Sequence, residues 1–137
     1  MMVGWMPRYA AIDIGSNSVR SLVAQVSAGS GTQVLSAERQ VTRLGESVFR
    51  DGRISQQSVR YVCGQLARMA QIYWKLDVVG VRAVATSAVR DAGNQREFIA
   101  RASQALGASV EIISGQEEAR LIQLGVEARW PHDSKRI

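Results

Sequence analysis

The chain has a single cysteine, a single histidine, two prolines and only two lysines, Lys75 and Lys135, in 137 residues. Each scarcity excludes something. Cys63 has no partner for an internal disulfide, which points to a reducing, cytoplasmic setting. His132 lies in a polar tail far from Cys63 in sequence, so a zinc site is not expected, and Cys63, set among helix formers, reads as a buried structural thiol. The stretch from Met1 to Arg8 lacks the apolar run of about 7–15 residues that a secretory signal needs. No segment approaches the roughly 18 apolar residues of a membrane span, so no membrane association is expected. There is no low-complexity tract, internal repeat or dividing linker, and a hydrophobic content of 46% suffices for one core. A single domain covering residues 1–137 follows.

What the chain does have is arginine. All 17 basic residues except the two lysines are arginine, against 12 acidic residues, for a net charge of +5. A planar guanidinium fork matches phosphate oxygens, so a phosphorylated ligand or a nucleic acid suits this balance. The arginines are scattered rather than clustered, which equally suits a solvated surface, and composition does not choose.

Patterning along the chain predicts an α/β fold. Tyr9 to Ile14 is nearly all apolar and reads as a strand buried on both faces. Gly15 to Ser18 forms a loop, Val19 to Val26 a second strand, Gly29 to Gly31 a turn and Gln33 to Leu44 a third strand, which together imply an antiparallel meander. Ser55 offers an N-cap, with Ile54 and Val59 placed as a hydrophobic staple. Val59, Val62, Leu66, Met69, Ala70 and Tyr73 then recur at helical spacing to about residue 75. The β-branched run from Asp77 to Ala85 predicts a buried parallel strand. Thr86 and Ser87 can cap a short helical turn through Ala92, and Asn94 with Glu97 resembles a second cap before a helix carrying Phe98, Ile99, Ala102 and Leu106, which Gly107 ends. A short strand from Val110 to Ile113 precedes Ser114, whose spacing to Glu117 is that of a capping box. The last helix continues through Leu121, Ile122, Gly125 and Val126 toward Trp130, where Pro131 is a plausible stop.

Three short segments carry candidate chemistry. In Asp13-Ile14-Gly15-Ser16-Asn17-Ser18, the glycine permits a tight turn, while Ser16, Asn17, Ser18 and nearby N–H groups supply donors for anionic oxygens. Asp13 suits a hydrated Mg2+, a hard cation that prefers carboxylate and water. An ordinary polar hairpin turn has the same look. The segment Ala85 to Arg90 lies at the carboxyl end of a predicted parallel strand, the edge where α/β proteins bind ligands. There Arg90, beside Thr86 and Ser87, is placed to reach phosphate, or is simply a surface arginine after a cap. In the pair Glu117-Glu118, Glu117 has the capping duty and Glu118 has none, which leaves Glu118 as a candidate general base or a complement to the helix dipole.

Together these segments resemble the exopolyphosphatase/guanosine pentaphosphate phosphohydrolase (Ppx/GppA) family, within the actin-like, sugar-kinase and Hsp70-like superfamily. Asp13 to Ser18 is similar to the family's first phosphate loop. Ala85 to Arg90, with Ala92 and Asn94, is similar to its second signature, and Ile113 to Leu121 to its third. The resemblance implies a ribonuclease-H-like N-terminal domain, a mixed sheet with an antiparallel meander and parallel strands flanked by helices. It implies Glu118 as catalytic base, with Glu117 as fallback, and Arg90 as a phosphate-binding residue. Gly15, Ser16, Asn17 and Ser18 would form the phosphate loop, with Mg2+ at Asp13. The reaction would release orthophosphate from polyphosphate or guanosine pentaphosphate, with no specific nucleic-acid partner. In the family a second glycine-rich loop and a second domain complete the cleft, and neither is in this chain. Negligible hydrolysis by the chain alone and homodimeric pairing through an exposed sheet edge are therefore expected. A phosphotransferase of the same superfamily, or a non-catalytic phosphate or nucleotide sensor, would be the alternatives.

Overall fold

The computed structural model describes residues 6–29 and 31–120. Its centre is a five-stranded sheet of order β3-β2-β1-β4-β5. β1 (Arg8–Ile14), β2 (Ser18–Ser27) and β3 (Gly31–Val41) form the expected antiparallel meander, while β4 (Gly80–Ala85) and β5 (Val110–Ile112) add in parallel beyond β1. Between them come α1 (Leu44–Asp51), α2 (Gln56–Lys75), α3 (Ser87–Asp91) and α4 (Gln95–Leu106). This is the mixed α/β arrangement that the sequence pattern predicted, an antiparallel meander joined to parallel strands, as the resemblance also implied.

The core forms on one face of the sheet. Ala10, Ile12, Ile14, Val19, Val23, Ala83, Ala85 and Val110 pack in one cluster with Val59, Val62, Leu66, Met69 and Tyr73 of α2 and with Phe98, Ala102 and Leu106 of α4. The α2 residues that recur at helical spacing are therefore the ones buried, and β-alternation selects their partners. Tyr73 is fully enclosed and its hydroxyl donates to the Leu106 carbonyl, tying the end of α2 to the end of α4. Cys63 is only partly buried at the margin of this cluster, rather than enclosed as expected.

β1 corrects a second expectation. It is buried on one face only: Ala10, Ile12 and Ile14 point into the core, while Tyr9 and Ala11 are exposed and Asp13 is half-buried on the other side. Its near-continuous apolar sequence conceals an alternation, because alanine serves on either face. Boundaries also shift. β3 ends at Val41 and β4 begins at Gly80, since α2 runs to Lys75 and Asp77 adopts a left-handed turn (φ 56°) after it, a conformation that aspartate tolerates.

α1 was not anticipated, because its eight residues include Gly45 and bury only Leu44 and Ser47. Backbone contacts hold it in place instead. The Gly45 N–H donates to the Ser16 carbonyl at 2.8 Å, and the N–H groups of Thr42 and Arg43 both donate to the Asn17 carbonyl. A Cβ on Gly45 would lie 3.2 Å from that of Ser16, so glycine is what permits this approach.

Two of the four expected side-chain caps do not form. Ser55 does cap α2, accepting from the Ser58 N–H at 3.1 Å. Thr86 makes no side-chain cap for α3. Asn94 makes none for α4, because its amide is engaged with both backbone groups of Ile54, and Glu97 meets Gln56 rather than the cap. Residues 115–120 begin a helix in which Ser114 Oγ accepts from the Glu117 N–H at 3.0 Å. The expected continuation through Leu121, Ile122, Gly125 and Val126 to Trp130 and Pro131 lies outside the described residues.

Candidate active site

Three parallel strands end along one edge of the sheet. Ile14 of β1 pairs with Ala85 of β4, and Ala85 pairs with Ile112 of β5. The predicted site segments are the three that leave these strand ends: the turn 15–18 after β1, Thr86 and α3 after β4, and residues 113–118 after β5. The chain therefore brings its three motifs together because parallel pairing aligns their carboxyl ends.

Direct contacts tie them. Ser16 Oγ lies 2.7 Å from Ser87 Oγ, joining the turn to α3. The Thr86 N–H donates to the Ile14 carbonyl, and the Ile113 N–H donates to the Ala85 carbonyl. The Arg90 guanidinium donates to the Ile113 carbonyl at 2.6 Å, linking α3 to the segment that leads to Glu118. That bond uses one of five guanidinium N–H groups and leaves the others for a ligand.

The turn itself is closed by the Gly15 N–H donating to the Ser18 carbonyl at 3.0 Å. Gly15 is needed for space: a Cβ there would lie 3.2 Å from the Ser18 carbonyl oxygen and 4.0 Å from Thr86 Oγ1. Asn17 is exposed and contributes its carbonyl to the α1 attachment, and Ser18 opens β2 opposite Val41.

A cleft of about 550 Å3 opens on the sheet face opposite the α2 and α4 core, lined among others by Asp13, Arg20, Arg82, Val84, Thr86 and Glu118. Thr86 is buried at its floor. Asp13 sits on the central strand, between Arg20 of β2 and Val84 of β4. Its Oδ1 is buried and has no hydrogen-bond partner. Burial raises the Asp13 pKa above its ordinary value, the nearby Glu118 carboxylate raises it further, and Arg20 opposes both. Asp13 and Glu118, 105 positions apart in the chain, thus share one electrostatic environment, flanked by a cation.

The buried, unpartnered Asp13 oxygen next to a second carboxylate fits a hard divalent cation such as Mg2+. Among the described residues no three or more His, Cys, Asp or Glu side chains gather as a ligand cluster. A cation here would keep most of its water, as Mg2+ characteristically does.

Two cleft residues escaped the sequence reading. Arg20 was legible in principle, since a turn that places Val19 opposite Ile14 also places Arg20 opposite Asp13. Arg82 lies two residues before Val84 on the same face and reaches toward Glu111 at 3.9 Å and Glu117 at 3.7 Å. The capping box is accordingly only half formed, because Glu117 turns to Arg82.

Among the described residues no helix is long and apolar enough to cross a membrane. The family model for the Ppx/GppA phosphatase family matches residues 22–137. The crystal structure of the Aquifex aeolicus member of the Ppx/GppA protein family is 32% identical, with a TM-score of 0.86 over 93% of this chain and 41% of that one. An exopolyphosphatase from Cytophaga hutchinsonii is 30% identical, with a TM-score of 0.81 over 88% of this chain and 38% of that one. This chain thus spans about two fifths of the length of these relatives.

Proposed function

The chain belongs to the Ppx/GppA phosphatase family, and we infer that it supplies one wall of a site that hydrolyses terminal phosphoanhydride bonds. The substrate class is inorganic polyphosphate or guanosine pentaphosphate, and the product is orthophosphate. The observation that carries this reading is the meeting of Asp13, Thr86 and Glu118 in one cleft; the Ser16–Ser87 contact and Arg90 lie outside its lining, with Arg90 joined to it through the carbonyl of the lining residue Ile113.

In this reading Glu118 is the general base. Its carboxylate orients a water molecule and accepts its proton as the water oxygen attacks the terminal phosphorus in line with the leaving phosphate. The Ser16, Ser18, Thr86 and Ser87 hydroxyls, the Asn17 amide and the free N–H groups of Arg90 hold the phosphoryl oxygens, and Gly15, whose N–H is engaged by the Ser18 carbonyl, lets the turn approach them closely. Arg20, across from Asp13, adds positive charge on the cleft face. A hydrated Mg2+ held by Asp13 would neutralise charge on the phosphoryl oxygens.

One wall leaves the reacting groups open to water, which weakens every electrostatic contact they make. The chain spans about two fifths of the length of its relatives, and in this reading the remainder of such a protein closes the cleft, so the chain alone turns over negligibly. The test is phosphate release with Mg2+, using long-chain polyphosphate and guanosine pentaphosphate side by side. The chain is assayed alone and extended by whatever is encoded downstream of Ile137. The extended protein should be active and should lose at least about 100-fold in kcat on Glu118→Gln. Robust turnover by the chain alone would refute the open-wall argument, and full activity of Glu118→Gln would refute the base assignment. Self-association through the side of β5 that has no partner strand among the described residues belongs to the same proposal, and light scattering over a concentration series measures it.

A further inference from the structure

Arg82 is the one cleft residue whose recorded ionic partners both lie outside the strand that carries it. It stands on β4 opposite Ala11 of β1, on the face that bears Asp13. Its Nε faces Glu111 Oε1 of β5 at 3.9 Å and its Nη2 faces Glu117 Oε2 at 3.7 Å. Glu117 immediately precedes Glu118, and residues 115–120 are helical.

Consecutive residues on a helix point about 100° apart. Holding the Glu117 side chain down toward the sheet therefore sets the rotation at which Glu118 is presented. The Ser114 cap does not do this alone. It engages the Glu117 N–H through Ser114 Oγ and the Glu118 N–H through the Ser114 carbonyl, which fixes the start of the turn but neither carboxylate. Electrostatics point the same way. Glu111, Glu117, Glu118 and Asp13 bring four carboxylates to one edge, and without a cation between them the helical turn would be pushed off the sheet.

We propose that Arg82 is a positioning residue for Glu118: by bridging β5 and the helix start through Glu111 and Glu117, it directs the Glu118 carboxylate into the cleft without itself touching substrate. This deepens the hydrolase reading and rests on Glu118 being its base. The two ion pairs are long and half-exposed, so their role is geometric rather than a large share of stability.

The test uses amide hydrogen exchange on the chain itself, read at Glu117 and Glu118. Arg82→Met and Glu117→Arg should each speed exchange at these two amides about fivefold or more, leaving the amides of β1 and β4 unchanged. Arg82→Lys should restore part of the protection, and Arg82→Glu combined with Glu117→Arg should restore most of it. Unchanged exchange in Arg82→Met, or a charge swap no better than its single variants, overturns the proposal. In the extended protein, Arg82→Met should lower kcat about tenfold with KM within twofold. A rise in KM with kcat intact would make Arg82 a substrate ligand and also overturn it. If Glu118→Gln remains active, the base assignment fails, while the exchange experiment still decides whether Arg82 holds the turn.

Discussion

Replacing Asn94 with alanine should destabilise the fold far more than its position in a surface connection suggests. Its Oδ1 accepts from the Ile54 N–H and its Nδ2 donates to the Ile54 carbonyl, each at 2.9 Å. Ile54 is completely buried, so both its backbone groups depend on that one side chain. Stranding a buried donor or acceptor costs about 1–3 kcal/mol each. Because Asn94 is only partly enclosed and water can enter its place, about 2–4 kcal/mol for the pair is the expected loss. That is a large share of the roughly 5–15 kcal/mol that a domain has in total. The consequence reaches the site, since this side chain fastens the segment before α2 to the end of α3, which carries Arg90. In urea, a loss of this size lowers the midpoint by roughly 1–2 M for an m-value near 2 kcal/mol/M, with the slope unchanged. Asn94→Asp should fare no better, because its carboxylate would face the Ile54 carbonyl. A loss below about 0.5 kcal/mol in Asn94→Ala, or a change in slope alone, would refute this account.

Two further predictions rest on titrating groups. Burial pushes the Tyr73 hydroxyl up to about 12 from an ordinary value of 10.0. Between those values the unfolded chain ionises first, so stability falls as pH rises through this window, by up to about 1.4 kcal/mol per unit. Tyr73→Phe should cost about 1–2 kcal/mol at pH 8 through the lost bond to Leu106, and its deficit should shrink in alkaline urea titrations; a deficit that grows would contradict it. Asp13 behaves in the same sense at lower pH. Its folded pKa is raised above 3.8, so the charged form carries a stability penalty at neutral pH that is absent below 3.8. Asp13→Asn should therefore raise the melting temperature at pH 7 but not at pH 3. Mg2+ at ten times its dissociation constant should stabilise the unaltered chain by about 1.4 kcal/mol and leave Asp13→Asn unaffected; equal Mg2+ responses would remove Asp13 as the ligand.

Much of this architecture was legible without coordinates, for local physical reasons. The stripe from Val59 to Tyr73 specified α2 because helical spacing gathers those residues on one face, and Gly107 marked the end of α4 because it adopts a left-handed conformation (φ 69°). The meander followed from short turns, and the parallel placement of β4 from the helix before it. α1 was invisible because it rests on backbone bonds to Ser16 and Asn17, which no side-chain pattern records. The caps expected of the Thr86-Ser87 pair and of Asn94 misled because the Ser87 and Asn94 side chains find more distant partners in the folded chain. Ile54 lies 40 positions from Asn94, and Ser87 lies 71 from Ser16.

By itself, then, the sequence determined the elements other than α1, the family signatures and the chemical types available: a glycine-serine turn, a guanidinium and an acidic pair. Only tertiary structure decided that β1, β4 and β5 end side by side, that Asp13 lies near Glu118, and that Arg82 takes Glu117 away from its cap. The reason is one of range. Propensity and periodicity act over a few residues, whereas burial and charge act between whatever groups the folded sheet brings within a few ångströms of each other.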